Sequence, residues 1–258
     1  MDLGNNRDGP HTLSARDPPP VIGNKRIIPF FLISDSIVHK ETNHVVGLEG
    51  RSGDPSPVTA YGVYKGMKAA VKHKLGRDDL TGLKVAVQGL GHVGYYLCEH
   101  LRNEGAELIV TDIHKESVDR VVSNLGATAV DPDDIYGQDV DVYAPCALGA
   151  SLNDVTLPQL KCSIVAGAAN NQLAEDRHGE ILKQKGILYT PDYVINAGGI
   201  INVSFEHQEG GYQKQDALDK VDEIYGTLLE IFEAAEKEQK TTNVVADELA
   251  RKRIADAS

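Results

Sequence analysis

The chain has 258 residues, enough for one large domain or for a domain plus part of another. A net charge of −12 argues against nucleic acid or an anionic membrane as partner, because both need clustered Lys and Arg. Trp is absent and aromatic residues make up only 5%, which leaves no platform for stacking single-stranded bases.

Residues 1–33 read as an irregular segment. Met1–Arg16 is polar and lacks the apolar stretch of a secretory signal, and the triplet Pro18-Pro19-Pro20 favours an extended chain. Ile27–Ile33 is apolar but broken by Pro29, as in a short edge strand with no evident partner. No apolar run approaches the roughly 20 residues that span a bilayer. The three cysteines, Cys98, Cys146 and Cys162, have no CxxC spacing and suit a reducing cytoplasm, two as buried thiols and one near a site.

A regular pattern starts at Pro55. Ser56 at the N-cap and Pro57 at the first helical position predict a helix running to about Leu75, with Tyr61, Tyr64, Met67 and Val71 at helical spacing. A turn over Asp78–Gly82 leads into Lys84–Asp112, KVAVQGLGHVGYYLCEHLRNEGAELIVTD, the most informative stretch of the chain. An apolar strand ends in Gly89-Leu90-Gly91-His92-Val93-Gly94, which fits G-x-G-x-x-G. Val93, Leu97 and Leu101 then form a helical stripe, Leu108–Val110 give a second strand, and Asp112 follows Gly89 by 23 residues.

That context identifies a dinucleotide-binding unit. Gly89 permits the tight turn, Gly91 lets a pyrophosphate approach the backbone, and Gly94 lets the helix lie close to the strand. The helix N-terminus at His92 and Val93 offers N–H groups and a positive dipole end to phosphate. A carboxylate at Asp112 accepts from a ribose 2′-hydroxyl and repels a 2′-phosphate, which favours NAD over NADP.

Farther along, a helix over Val118–Leu125 is predicted, then strands at Val140–Ala144 and Ser163–Ala166, a helix near Glu175–Lys185 and a strand at Ile187–Tyr189. The alternation predicts an α/β fold, a Rossmann-like doubly wound parallel sheet. Lys214 to Ala257 reads as two charged amphipathic helices, with Leu218, Val221, Ile224, Tyr225, Leu228 and Ile231 as an apolar stripe that packs on a neighbouring domain or subunit. The histidines are scattered without Cys/His or HxxxH spacing, so no metal is assigned.

Four further segments fall where such a sheet presents its strand ends: GDPSPVTAYG at 53–62, APCALG at 144–149, GAANNQL at 167–173 and PDYVINAGG at 191–199. With AVQGLGHVG in the same order, they make the chain resemble the Glu/Leu/Phe/Val amino-acid dehydrogenase family, its leucine branch most closely, over about Ser34 to Ile254. The resemblance implies that Gly89, Gly91 and Gly94 form the pyrophosphate turn and Asp112 the adenosine-ribose acid. It sets Ala144, Pro145 and Cys146 along the nicotinamide ribose, Asn170 or Asn171 near the nicotinamide, and Thr59 at its amide. Asn196 lies in the loop facing that ring, unless it merely caps a helix. Ile200 and Val203 match positions that line the substrate side-chain pocket, or else are plain core. Branched apolar residues there suit a branched aliphatic substrate. Gly94 departs mildly from the family's leucine members, which often have Ala.

The chemistry implied is NAD-dependent oxidative deamination of a branched-chain L-amino acid to a 2-oxo acid, ammonia and NADH. It requires an activated lysine, a carboxylate and a second lysine for the substrate carboxylate. In the family these belong to an N-terminal domain on a GGGK-type segment and an acidic loop, and neither motif occurs in these 258 residues. The expected organisation is therefore an irregular segment (1–33), a remnant of the catalytic domain (34–54), an NAD-binding domain (55–212) and C-terminal helices (213–258). Catalytic residues stay unassigned. A homo-oligomer, or a chain supplying the missing domain, is the expected partner. A non-catalytic NAD-binding homologue with a regulatory or subunit-association role is the alternative. Tyr61 and Lys65 have the Tyr-xxx-Lys spacing of small-carbonyl reductases, but they precede the nucleotide fold.

Overall fold

A computed structural model describes residues 21–22, 25–26, 52–207 and 211–257. The chain divides into two units, Met1–Val45 and Val46–Ser258. In the first, Val21–Ile22 pairs antiparallel with Lys25–Arg26. The expected edge strand at Ile27–Ile33 and most of the expected remnant at 34–54 lie outside the described residues.

The second unit is built on a six-stranded sheet. Its strands are β1 (Lys84–Gln88), β2 (Glu107–Thr111), β3 (Thr128–Ala129), β4 (Val142–Pro145), β5 (Ile164–Val165) and β6 (Leu188–Tyr189), in spatial order β3-β2-β1-β4-β5-β6. Every pairing is parallel. From β1 the chain runs outward through β2 to β3, then returns to the other side of β1 for β4. The topological switch therefore lies between β1 and β4, where ligand crevices form in doubly wound sheets.

Both faces of the sheet are covered, as a parallel sheet requires. On β1 the side chains alternate: Val85 and Val87 enter one core, Ala86 the other. The larger core is roofed by α1 (Ser56–Leu75), α2 (His92–Asn103), α3 (Lys115–Leu125) and, farther on, α7 (Lys214–Glu238). The second core gathers Tyr143, Leu152, Val165 and Leu182 beneath α4 (Arg177–Gln184). Among the described residues, no helix is long and apolar enough to cross a membrane.

Two local expectations change. Ser56 does not cap α1: it is the first helical residue after Pro55, and its own N–H donates to Asp54 Oδ1 at 2.9 Å. PDYVINAGG is not a plain loop: it forms α5 (Asp192–Ile195) and opens α6 (Gly198–Ser204). The apolar stripe of α7 packs on α1 within the same unit, burying Val221, Ile224, Leu228 and Ile231, while α8 (Thr242–Asp256) follows against it.

Candidate functional site

The turn after β1 is held from three sides. Gly89 has φ +97°, and a Cβ there would come within 2.7 Å of the Ala147 nitrogen, so only glycine fits without a shift. Gly94 brings α2 against the same turn, since a Cβ on it would overlap the Gly89 carbonyl. Leu90, between them, donates its N–H to Asp112 Oδ2 at 2.6 Å, and its carbonyl accepts from Arg120 at 3.1 Å. Arg120 in turn lies over the Tyr95 ring, 4.2 Å from its centroid.

Gly91 differs from its two neighbours. A Cβ there would meet nothing within 4 Å, so packing gives no reason for a glycine. A ligand drawn close to the backbone would. Gly91 precedes an α2 with no side-chain cap, which leaves the first N–H groups of His92, Val93 and Gly94 for an anion.

Beside this turn lies a cleft of about 320 Å³, lined by Gly89, Asp112, Ile113, Tyr136, Leu148 and Asn153 among others. Asp112 sits at the end of β2. Its Oδ1 accepts the His114 N–H at 2.8 Å, and each carboxylate oxygen keeps a lone pair for a hydroxyl. Ile113 and Leu148 are 83% and 85% exposed, an apolar pair suited to the faces of a flat ring. Sequence reasoning missed both as site residues. The signal for Ile113 was present, a lone apolar residue amid Asp112, His114 and Lys115.

On the other side of the switch point, β4 delivers Ala144 and Pro145 buried and Cys146 half-buried. Burial pushes the Cys146 thiol up to about 12, so it is no nucleophile at neutral pH. Cys98 and Cys162 are buried. The loop after β5 runs beside the loop after β4: Ala150 donates to the Asn171 carbonyl at 2.7 Å, and Asn171 takes a left-handed conformation at φ +51°. Asn196 joins this edge, its Nδ2 donating to Asn170 Oδ1 at 2.6 Å and to the Ala168 carbonyl at 3.1 Å. It closes α5 and does not cap α6, whose N-cap is Ala197.

Thr59 stands on the first turn of α1 and donates to the Pro55 carbonyl at 3.0 Å. It abuts the start of α6, where a Cβ on Gly199 would come 2.5 Å from Thr59 Oγ1. Past that contact Ile200 is 68% exposed and Val203 half-buried, so neither is plain core. The Tyr61–Lys65 pair lies elsewhere. Both reach Asp222 on α7, at 2.7 and 3.2 Å, and burial followed by that hydrogen bond raises the Tyr61 phenol to about 12.

The family model for Glutamate/Leucine/Phenylalanine/Valine dehydrogenase matches residues 50–112 and 106–258. The chain belongs to this family. The leucine dehydrogenase of Bacillus cereus is 56% identical over 222 residues, which make up 85% of this chain and 60% of that protein. The leucine dehydrogenase of Bacillus subtilis is 57% identical over 221 residues, again 60% of its length. The chain thus spans about 60% of the curated relatives it matches. Among solved structures, the L-tryptophan dehydrogenase of Nostoc punctiforme superposes with a TM-score of 0.77 at 50% identity, covering 79% of this chain and 62% of that one. The hetero-hexameric glutamate dehydrogenase of Thermus thermophilus shares the fold, with a TM-score of 0.65 at 20% identity over 80% of this chain and 53% of that one.

Among the described residues, one other cluster has ligand-like spacing. Asp154, Glu175 and His178 bring one ligand atom each within 4.8 Å. Arg177 already pairs with both carboxylates, Asp154 at 2.6 Å and Glu175 at 3.0 Å, and His178 Nδ1 accepts the Glu175 N–H. The group braces the loop after β4 against α4.

Proposed function

We infer that residues 55–212 form the NAD-binding part of an amino-acid dehydrogenase that oxidatively deaminates a branched-chain L-amino acid, with the helices of 213–258 packed behind them. The observation that carries this reading is Gly91: an unfilled approach to an uncapped helix N-terminus, beside a cleft that ends at a carboxylate. The residues present fit a dinucleotide. His92, Val93 and Gly94 would hold the pyrophosphate through backbone N–H groups, Asp112 the adenosine ribose, and Ile113 with Leu148 the adenine. Asp112 disfavours a 2′-phosphate, which makes NAD the cofactor in place of NADP.

NAD, when bound, supplies the hydride acceptor. Around its nicotinamide end the chain contributes positioning: Thr59 and the Asn196–Asn170 pair offer amide and hydroxyl partners, Ala144–Cys146 form one wall, and Asn171 fixes the neighbouring loop. Ile200 and Val203 present branched apolar surface to the substrate. Such surface accommodates a leucine-like side chain and offers no cation to a γ-carboxylate.

Deamination further requires a lysine of lowered pKa to activate water. The GGGK-type segment that carries it in the family does not occur in these residues, and Lys65 and Lys68 are paired with Asp222 and Glu104 on the helical layer. The proposal is therefore that these 258 residues bind NAD without turning over, and that a further polypeptide segment completes the site. The test is NADH formation from L-leucine at alkaline pH. No NADH is expected from this chain alone, and turnover in preference to L-phenylalanine is expected once a lysine-bearing catalytic segment is supplied in trans. Turnover by the chain alone would contradict the proposal.

A further inference from the structure

The loop after β5 is shaped by side-chain amides. Gln172 is fully buried, and its Nε2 donates to the carbonyls of Gly167 at 2.9 Å and Ala169 at 3.0 Å. The carbonyl between them, on Ala168, accepts from Asn196 Nδ2 at 3.1 Å. Two amides thus hold three consecutive carbonyls. Both hydrogens of the Gln172 amide are used in this way, and its Oε1 has no partner among the described residues. Turning the amide over would set Oε1 against two carbonyl oxygens, so its orientation is fixed. A buried acceptor without a partner costs stability, offset here by the two carbonyls that the same amide satisfies.

The main chain of Gln172 extends the brace. Its N–H donates to Asp192 Oδ2 at 2.8 Å, and Asp192 Oδ1 accepts the Tyr193 N–H at 2.7 Å, at the start of α5. Its carbonyl accepts the Leu152 N–H at 2.9 Å, from the loop after β4. Asn170 and Asn171 stand between the residues so held. Asn170 Oδ1 meets Asn196 Nδ2 at 2.6 Å, and Asn171 keeps its left-handed conformation. We propose that Gln172, anchored by Asp192, is the positioning residue of the nicotinamide end, holding the loop so that Asn170 and Asn196 stay paired beside the ring. The inference rests on the dinucleotide reading above. Gln172 is buried away from any ligand, so it acts through Asn170 and Asn196.

The consequence is a separation between the two halves of the cofactor. The pyrophosphate turn and Asp112 belong to Lys84–Asp112, whereas the hydrogen bonds of Gln172 go to the loops after β4 and β5 and to α5. Loosening this brace should release the nicotinamide and leave the adenosine half in place. ADP-ribose carries the adenosine, the pyrophosphate and the second ribose but no nicotinamide, so it reads the difference. A residue that merely stabilised the fold would affect both ligands alike.

The experiment is a calorimetric titration of the full chain with NAD and with ADP-ribose, with thermal melts to establish that each variant is folded. The wild type should hold NAD about tenfold more tightly than ADP-ribose, the worth of one hydrogen bond at the ring. Gln172→Met keeps the length of the side chain without its donors, and should erase that preference by weakening NAD alone. Asp192→Ala frees the Gln172 N–H while leaving the core filled, and should narrow the preference to about threefold. Gly91→Val, at the pyrophosphate turn, should weaken both ligands alike. A full preference for NAD in folded Gln172→Met or, where that variant does not fold, in Asp192→Ala would overturn the positioning role while leaving the dinucleotide site standing. So would a wild type that binds the two ligands equally. A folded wild type that binds neither would overturn both readings.

Discussion

The two ends of the proposed cofactor site are made in opposite ways. The adenosine end comes from a single stretch, Lys84–Asp112, in which strand, turn, helix, strand and acid follow one another. Its clamp on Leu90, from Asp112 below and Arg120 above, closes within 31 residues, from Leu90 to Arg120. The nicotinamide end is gathered from Thr59, Ala144–Cys146, Asn170–Asn171 and Asn196–Val203, four segments that meet only once α1, β4, β5 and α6 are packed. Ile200, proposed to face the substrate, is left 68% exposed. On the proposed reading, anchoring the cofactor is a local property of the chain, whereas placing its reactive ring is a property of the tertiary fold.

The contrast can be broken most sharply at the turn. Gly91→Val should leave thermal stability near wild type, because a Cβ at this position meets nothing within 4 Å. It should weaken NAD by about 100-fold, the loss of two charge-assisted hydrogen bonds at about 1.5 kcal/mol each. Gly94→Val should also destabilise the fold, by about 3 kcal/mol, through overpacking against the Gly89 carbonyl. Melting curves beside binding isotherms separate the two, and equal destabilisation would erase the distinction between ligand-facing and packing glycines.

A smaller effect is expected at the acid. Asp112→Asn should cost about tenfold in NAD affinity and narrow the gap between NAD and NADP, read by competitive titration. At the nicotinamide end, Asn196→Ala removes the contacts to Asn170 and Ala168. About 1 kcal/mol is expected there, or about fivefold in NAD affinity, with some loss of stability because the same bonds tie α5 to the loop after β5. The smallest effect concerns the thiols. Burial holds Cys146 at about 12 and Cys162 at about 11 and raises Cys98 farther, so iodoacetamide at neutral pH should label all three only after unfolding.

The same contrast explains what was legible in the sequence. Strand β1, the turn, α2 and β2 could be read because every signal, from alternation to the glycines to the acid, lies in one window. The helices α5 and α6 were not legible. Ile-Asn-Ala-Gly-Gly carries poor helix formers, and α6 is held by tertiary contact, with Gly198 against the Val58 carbonyl of α1. The two-residue β3 gives no periodic signal, and β2 supplies its partner. Ser56 looked like the cap, but the helix starts one residue earlier in register, with Pro55 at the N-cap, and the Ser56 N–H itself donates to Asp54. Of the residues lining the cleft beside the turn, Asp112 could be picked out by its spacing. Ile113 and Leu148 needed the sheet, which brings the loops after β2 and β4 together.

The most direct measurement is the calorimetric stoichiometry and affinity of NAD on the wild-type chain near neutral pH, with NADP as competitor. One NAD per chain, bound more tightly than NADP, is the expected result. A chain that stays folded and binds neither nucleotide would contradict the assignment of Gly91 and Asp112 to a cofactor.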